Sequence, residues 1–369
     1  MTTGDGGRAL PQTVLREATD RRLLDETIRR GRTTRAELAG ALGYSRPTVS
    51  EAVRRLVAAG LLDATGLNET GRRGRVGTFY SLGARAGWVI ALEVDQSGVH
   101  ASAADLAGTQ LSTLRLPPGA PGDAAALADS LRAAVRFSHE GPLRAVGVSI
   151  ANPVDPLTHV TVPLAGTPFP EGLLDPAAMI GDLVDAPVLV DNDVNLAALA
   201  EHRAGRAAGA GSFAYVYVGA GLGVGLYLGD TLIRGAHGLA GEIGYLPGAS
   251  APTLAGDLAA GGLGRSDAPS NDVAATLARL DHGDDRALGT LTAAVARAIA
   301  SVAAVVDPEL VLLGGPVGTH PALLPRVRAA VGEVFPGPMR IDHGALGSHA
   351  ALRGALHLAV EHALAAAVR

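Results

Sequence analysis

The chain has 369 residues, a formal net charge of −5, 31 basic side chains that are all Arg, and no Cys. Without Cys, disulfide frameworks, thiolate zinc sites, iron–sulfur clusters and cysteine nucleophiles are excluded; without Lys, so are a GxxxxGKS/T phosphate loop and a Schiff-base lysine. At 47% hydrophobic and 18% charged, the composition is that of a folded globular chain, long enough for two or three domains.

The charge is uneven. Residues 1–90 hold 15 Arg against 9 acids, whereas residues 91–369 hold 16 Arg against 27 acids. A basic head on an acidic body points to a head that meets a polyanion. Residues 1–12 read as a flexible tail; their start lacks the apolar run of a signal peptide, so a cytoplasmic protein is expected.

Leu23, Leu24 and Ile28 follow helical spacing in a first helix over 11–30, which Gly31 ends. Thr34 and Glu37 form a capping box that opens a second helix over 35–42. Gly43 breaks it, and Ser45 can cap a third helix with Pro47 in its first turn. Val49, Val53, Leu56 and Val57 are its expected inward stripe; Arg46, Thr48, Ser50, Glu51, Arg54 and Arg55 face outward. Two short helices joined through a Gly-containing turn make a helix-turn-helix, whose second helix reads base edges in the major groove. Residues 70–75 are Gly and Arg around Arg72, Arg73 and Arg75, followed by a strand-like run over 78–82. This is a β-wing whose arginines suit phosphates or a narrow minor groove. Residues 13–86 thus read as a winged helix-turn-helix, with Ser45, Arg46, Thr48, Ser50, Arg54 and the three wing arginines as its DNA-contacting set.

After Gly87 the pattern becomes α/β. Apolar strands are expected at 88–94, 99–104, 109–116 and 145–150, with a helix over 124–138; a second series of the same kind begins near Phe213. Two α/β lobes follow, with a cleft between them as the default ligand site. The uncharged stretch 211–229 is long enough to raise a membrane span, but its six glycines and the alternation of Tyr215-Val216-Tyr217-Val218 read as strand, turn, strand. Its glycines fit GxGxxG in no register, and HExxH and a nucleophile elbow are absent. Asn192-Asp193 lies between a strand over 187–190 and a helical run over 195–206. It reads either as a helix cap or as a carboxylate at the ligand-binding end of an open sheet. Glu242, flanked by Gly241 and Gly244, is either a second site carboxylate or a solvated turn residue.

These segments together resemble the ROK family of sugar kinases and sugar-responsive repressors. The resemblance runs through 218–226 (VGAGLGVGL), 235–244 (GAHGLAGEIG), 190–195 (VDNDVN) and 307–315 (DPELVLLGG). It implies a two-lobed actin/hexokinase-like (ribonuclease H-like) ROK domain over 87–369. Members with a winged helix-turn-helix in front, as here, are regulators. Their implied partners are a duplex operator, palindromic by the logic of two-fold dimers, a sugar held by Asn192, Asp193, Glu242 and Tyr245, and a second copy in a homodimer or tetramer; no membrane and no cofactor are expected.

Departures from the family pattern bear on activity. The kinases' phosphate-binding Asp-x-Gly-Gly-Thr aligns with Glu93-Val94-Asp95-Gln96-Ser97, which lacks the glycines that let backbone N–H groups approach phosphate. Where the family has Glu-x-Gly-His and a zinc-binding Cys-rich loop, this chain has Glu242-Ile243-Gly244-Tyr245 and a loop, 247–253, without Cys. A further sugar-contacting Glu of the family falls near Gly256. Three functions remain open: a sugar-responsive repressor, an ATP-dependent sugar kinase using Asp193 as base, and a regulator that has lost its inducer.

Overall fold

The computed structural model describes residues 12–68, 77–95, 97–120, 123–164, 175–264, 270–335 and 337–369. Arg72, Arg73, Arg75 and Gln96 lie outside the described residues, as do 1–11 of the tail; Gln12 already opens the first helix.

The head is built from α1 (Gln12–Arg30), β1 (Thr33–Thr34), α2 (Arg35–Leu42), α3 (Arg46–Ala58), β2 (Leu62–Asn68) and β3 (Gly77–Leu82). Local chemistry sets each boundary. Thr34 and Glu37 form the reciprocal capping box, with Thr34 N–H donating to Glu37 Oε2 at 2.7 Å. Gly43 closes α2 in the left-handed region at φ 69°. Ser45 caps α3 by accepting from the Thr48 N–H, with Pro47 in the first turn. The buried stripe of α3 is Val49, Ala52, Val53 and Leu56. Val57, expected inward, is 39% exposed. The stripe follows i, i+3, i+4, i+7, and position i+8 has rotated off it. Strand β3 pairs with β1 and β2 on its two sides, which makes the wing.

The body holds two five-stranded sheets of the same design. The first has order β6-β5-β4-β7-β8, from β4 (Trp88–Asp95), β5 (Gly98–Asp105), β6 (Gln110–Leu116), β7 (Leu143–Ile150) and β8 (Val188–Asn192). α4 (Ala124–Ala134) and α5 (Pro176–Ile180) cover its outer face. α4 ends four residues before the expected 138; the chain leaves the helix so that Val135 enters the core and the His139 ring meets Trp88 edge-on at 5.1 Å. α6 (Asp193–Ala204) then crosses to the second sheet, order β11-β10-β9-β12-β13. Its strands are β9 (Ser212–Val218), β10 (Leu222–Leu228), β11 (Thr231–Ile233), β12 (Leu310–Gly314) and β13 (Arg340–His343). In each sheet an antiparallel three-strand meander leads into two parallel strands. The stretch 211–229 is therefore the β9–β10 hairpin.

The remaining helices are α7 (Leu254–Leu258), α8 (Val273–Asp281), α9 (Asp285–Val306), α10 (Gly315–Gly318), α11 (Leu323–Val334) and α12 (Ala350–Ala367). Among the described residues, α9 is one helix long and apolar enough to cross a membrane. It buries Leu291, Val295, Ile299 and Val302 in the core of the second lobe.

Two helices join the parts. Every residue of α6 from Val194 to His202 is buried, as a helix packed on all sides must be. β10 supplies glycines beneath it: a Cβ on Gly225 would collide with Ala198 and the Val194 carbonyl. α12 lies across α6 so closely that a Cβ on Gly354 would strike the Leu196 carbonyl. The far half of α12 contributes Ala359, Ala363 and Leu364 to the same apolar cluster as Leu23, Leu24 and Val53 of the head. Glu361 takes the Arg203 guanidinium at 2.7 Å, and its carbonyl accepts from Arg21 at 3.5 Å. The head is thus packed onto the body through α12.

Because the groups facing Gly354 are backbone, they yield little to an added methyl. Gly354→Ala should lower stability by about 1–3 kcal/mol, read as a lower urea midpoint with an unchanged slope.

Candidate functional site

Between the lobes lies a cavity of about 370 Å³, a size that fits a small metabolite. The first lobe contributes Asn152 and Pro153, beyond β7, and Asn192 and Asp193 at the β8–α6 junction; the second contributes the Ala220–Gly223 turn, Glu242, Tyr245, Thr253, Gly256, Ser270 and Asn271. All four residues singled out for a ligand, Asn192, Asp193, Glu242 and Tyr245, line this one cavity. The sequence offered no signal for Asn152, Thr253, Ser270 or Asn271. Asn271 fixes the glycine turn, donating from Nδ2 to the Gly219 carbonyl (3.1 Å) and from its N–H to the Ala220 carbonyl (2.9 Å).

Asn192 caps the helix and also lines the cavity. Its Oδ1 accepts from the N–H groups of Val194 (3.0 Å) and Asn195 (3.2 Å), capping α6, while the residue faces the cavity. Asp193 follows at the first position of the helix, where its Oδ1 accepts from the Val194 N–H. Burial pushes its carboxyl up to about 7 against that hydrogen bond, with Glu242 and Asp95 adding to the rise. Burial likewise lifts Glu242 to about 7; it is half-buried, not a solvated turn residue. Glu93, at the end of β4, is 9% exposed, and burial followed by the charges of Asp95 and Asp193 pushes it up to about 8. Beneath them, Asp191 Oδ2 accepts from Arg234 Nη2 (2.6 Å) and Nε (2.8 Å), a bridge between β8 of one lobe and the segment after β11 of the other.

A carboxylate whose proton affinity sits near neutrality can take a proton from a sugar hydroxyl. The phosphate side departs from the kinase pattern. Asp95 Oδ1 accepts from the Ser97 N–H (2.7 Å) and the Ser97 hydroxyl (2.6 Å), so a carboxylate already fills the β4–β5 turn where a phosphate would need donors. At the end of β12, Gly314 and Gly315 make room for packing: a Cβ on either would collide with the ring of Tyr215 or Tyr217. The 247–253 loop does not fit a zinc ion either. Its N–H groups at Ala249, Ser250 and Ala251 turn inward onto the Asp257 carboxylate, which also pairs with Arg297 at 3.2 Å. Donors converging on an anion present the wrong polarity to a metal. Those bonds hold Asp257 well below the usual carboxylate range.

In the head, Arg46 and Thr48 stand exposed at the start of α3, and Ser50 is half-buried. Ser45 is exposed, but its hydroxyl serves the cap and pairs with the Thr48 hydroxyl at 2.8 Å. Arg54 is exposed and bound by Glu51 (2.6 and 3.0 Å). Arg55, read as outward, is turned aside to the buried Asp20 (Nε–Oδ2 2.8 Å), fastening α3 to α1. Arg32 stacks over the Phe79 ring at 4.2 Å, which sets the base of the wing.

Residues 89–257 and 264–362 match the family model described as ROK family, and residues 16–63 match that of a winged helix-turn-helix DNA-binding domain. The bifunctional enzyme NanE/NanK of Brucella melitensis biotype 1 is 32% identical over 163 residues, 42% of this chain and 31% of the enzyme. The match thus spans about a third of that curated relative's length. A solved ROK family transcriptional regulator, a homolog of the E. coli MLC protein, superposes with a TM-score of 0.70 at 18% identity, covering 96% of this chain and 98% of its own. A ROK family glucokinase from Streptomyces griseus, in complex with glucose and AMPPNP, superposes with a TM-score of 0.58 at 26% identity, covering 74% of this chain and 99% of its own. For the ROK hexokinase from Thermus thermophilus the TM-score is 0.55 at 27% identity, with the same coverage of 74% and 99%. The likeness to the regulator, at its low identity, is one of fold, and it takes in nearly the whole chain.

The raised carboxyls predict a pH dependence. An acid with a higher proton affinity in the folded state binds more protons folded than unfolded between the two values, so stability falls as pH rises through that window. For Glu93 the window runs from about 4.5 to about 8. Melts of wild type across it should show stability falling towards alkaline pH, and Glu93→Gln should flatten that slope.

Proposed function

The chain belongs to the ROK family, and from that premise we propose that it is a cytoplasmic DNA-binding transcriptional regulator, a repressor, whose two-lobed body binds a sugar or sugar derivative and is not an enzyme. Residues 13–86 are its DNA-binding head and 87–369 its sensor. It acts as a homodimer on a palindromic duplex operator, because a two-fold pair of heads matches a two-fold pair of half-sites. The observation that carries this reading is the winged head itself, with Arg46 and Thr48 exposed at the leading end of a well-capped α3.

A mechanism follows from the packing. Ligand at Asn192 and Asp193 bears on the start of α6; α6 bears on α12; α12 shares its core with the head. A ligand that favours one arrangement of the lobes changes the placement of α3 relative to its dimer mate, and with it operator affinity.

The second reading, an ATP-dependent sugar kinase, draws on Asp193 and on the kinase relatives. The Asp95-filled turn opposes it.

Mobility shift on duplex DNA from upstream of the protein's own gene tests the first reading. Arg46→Ala should weaken binding by about 5- to 150-fold, the cost of a lost base contact. Replacing Arg72, Arg73 and Arg75 together should lower the salt slope by about one unit per lost phosphate contact. Absence of a shift at low salt would refute the regulator. A coupled ADP-release assay over a panel of hexoses should give no turnover; turnover that disappears in Asp193→Asn would establish the kinase.

A further inference from the structure

The charges around the cavity are one-sided. Asp193 enters from the first lobe and Glu242 from the second. Glu93, nine-tenths buried, lies close enough to Asp193 and Asp95 for their charges to act on it, and Asp95 acts on Asp193 as well. No Arg or His is among the described residues lining the cavity. Arg234 is committed to Asp191. The phenols of Tyr215, Tyr217 and Tyr245 bring no positive charge, and burial pushes all three up, so they are neutral near pH 7.

A metal ion does not answer this imbalance: among the described residues no group of three or more His, Asp or Glu is placed to hold one. Near pH 7 these carboxyls stand between the protonated and the ionised form, the described lining offers no cation to hold them ionised, and an organic ligand could bring one. We propose that the cavity selects an amine-bearing sugar, a hexose with a free primary amine, over neutral and anionic sugars. The inference rests on the reading of the cavity as a sugar site. An ammonium placed between Asp193 and Glu242 makes charge-assisted hydrogen bonds, which are about twice as strong as those of a hydroxyl. The amide and hydroxyl groups of Asn152, Thr253 and Ser270 line the rest of the cavity, where sugar hydroxyls would lie. A phosphate or carboxylate on the ligand would meet the same acids and be repelled. Because these carboxyls hold protons near neutrality, an ammonium entering between them displaces protons.

Calorimetric titration of the full chain at pH 7.5 with glucosamine, glucose, N-acetylglucosamine and glucose 6-phosphate is the test. Glucosamine should bind about tenfold or more tightly than glucose or N-acetylglucosamine. Its heat should change with the ionisation enthalpy of the buffer, which reports proton release, and glucose 6-phosphate should give none. In Glu242→Gln and Glu93→Gln the ratio of glucosamine to glucose affinity should contract towards one. That ratio is internal to each variant, so a general loss of stability does not imitate it. Glucose or N-acetylglucosamine binding as tightly as glucosamine would overturn the inference and leave the sugar-sensor reading standing. Binding of none of the four would remove that reading and the inference with it.

Discussion

The contact on which the rest of this structure depends is the crossing of α6 and α12. Nothing larger than a hydrogen fits at Gly354, so the two helices meet backbone to backbone. The start of α6 lines the cavity between the lobes, where Asn192 spends its side chain on the helix cap and Asp193 is left facing the cleft. Near its far end, Glu201 is fully buried and accepts from the N–H groups of Arg206, Ala345 and Leu346, fastening the helix to the loop ahead of α12. Buried carboxylates with all their partners present are costly to disturb. The helix is thus held fast to what it touches, the cavity at its start and, through α12, the DNA-binding head.

The electrostatics divide along the same line. The body gathers acids about the cleft, where no Arg or His is among the described lining residues, and burial raises their proton affinity towards neutral pH. The head gathers arginines, and several of them are used internally: Arg55 on Asp20, Arg54 on Glu51, Arg32 over Phe79. What remains for a polyanion in the described part of α3 is Arg46 and the hydroxyls beside it. The net charge of −5 conceals these two opposed surfaces.

Much of this was legible in the sequence where the controlling interaction is local. The capping box of Thr34 and Glu37, the Ser45 cap with Pro47, and the strand–turn–strand of 211–229 each depend on residues within a few positions, and each folds as its pattern indicates. Asn192-Asp193 and Glu242 could be marked as candidates from their neighbours, but only the family resemblance put them in one site, because their meeting is made by the two sheets. Pairings across long separations left no trace in the pattern. Asp191 and Arg234 are 43 residues apart, and Glu201 and Ala345 are 144 apart. Glu93 could be read only as a departure from a phosphate loop; its burial appears once β4 has neighbours. The loop without Cys showed what it cannot bind, and only the fold reveals the Asp257 carboxylate at its centre. Val57 failed for a smaller reason, the rotation of a helical stripe over eight residues.

The central claim is that the cavity and the head are one coupled unit. Operator affinity measured in the absence and in the presence of a sugar shown to occupy the cavity tests it most directly. The account predicts a change of about 5- to 150-fold, mirrored by an equal change in sugar affinity when operator is bound. Identical operator affinity with the cavity filled and empty would contradict it.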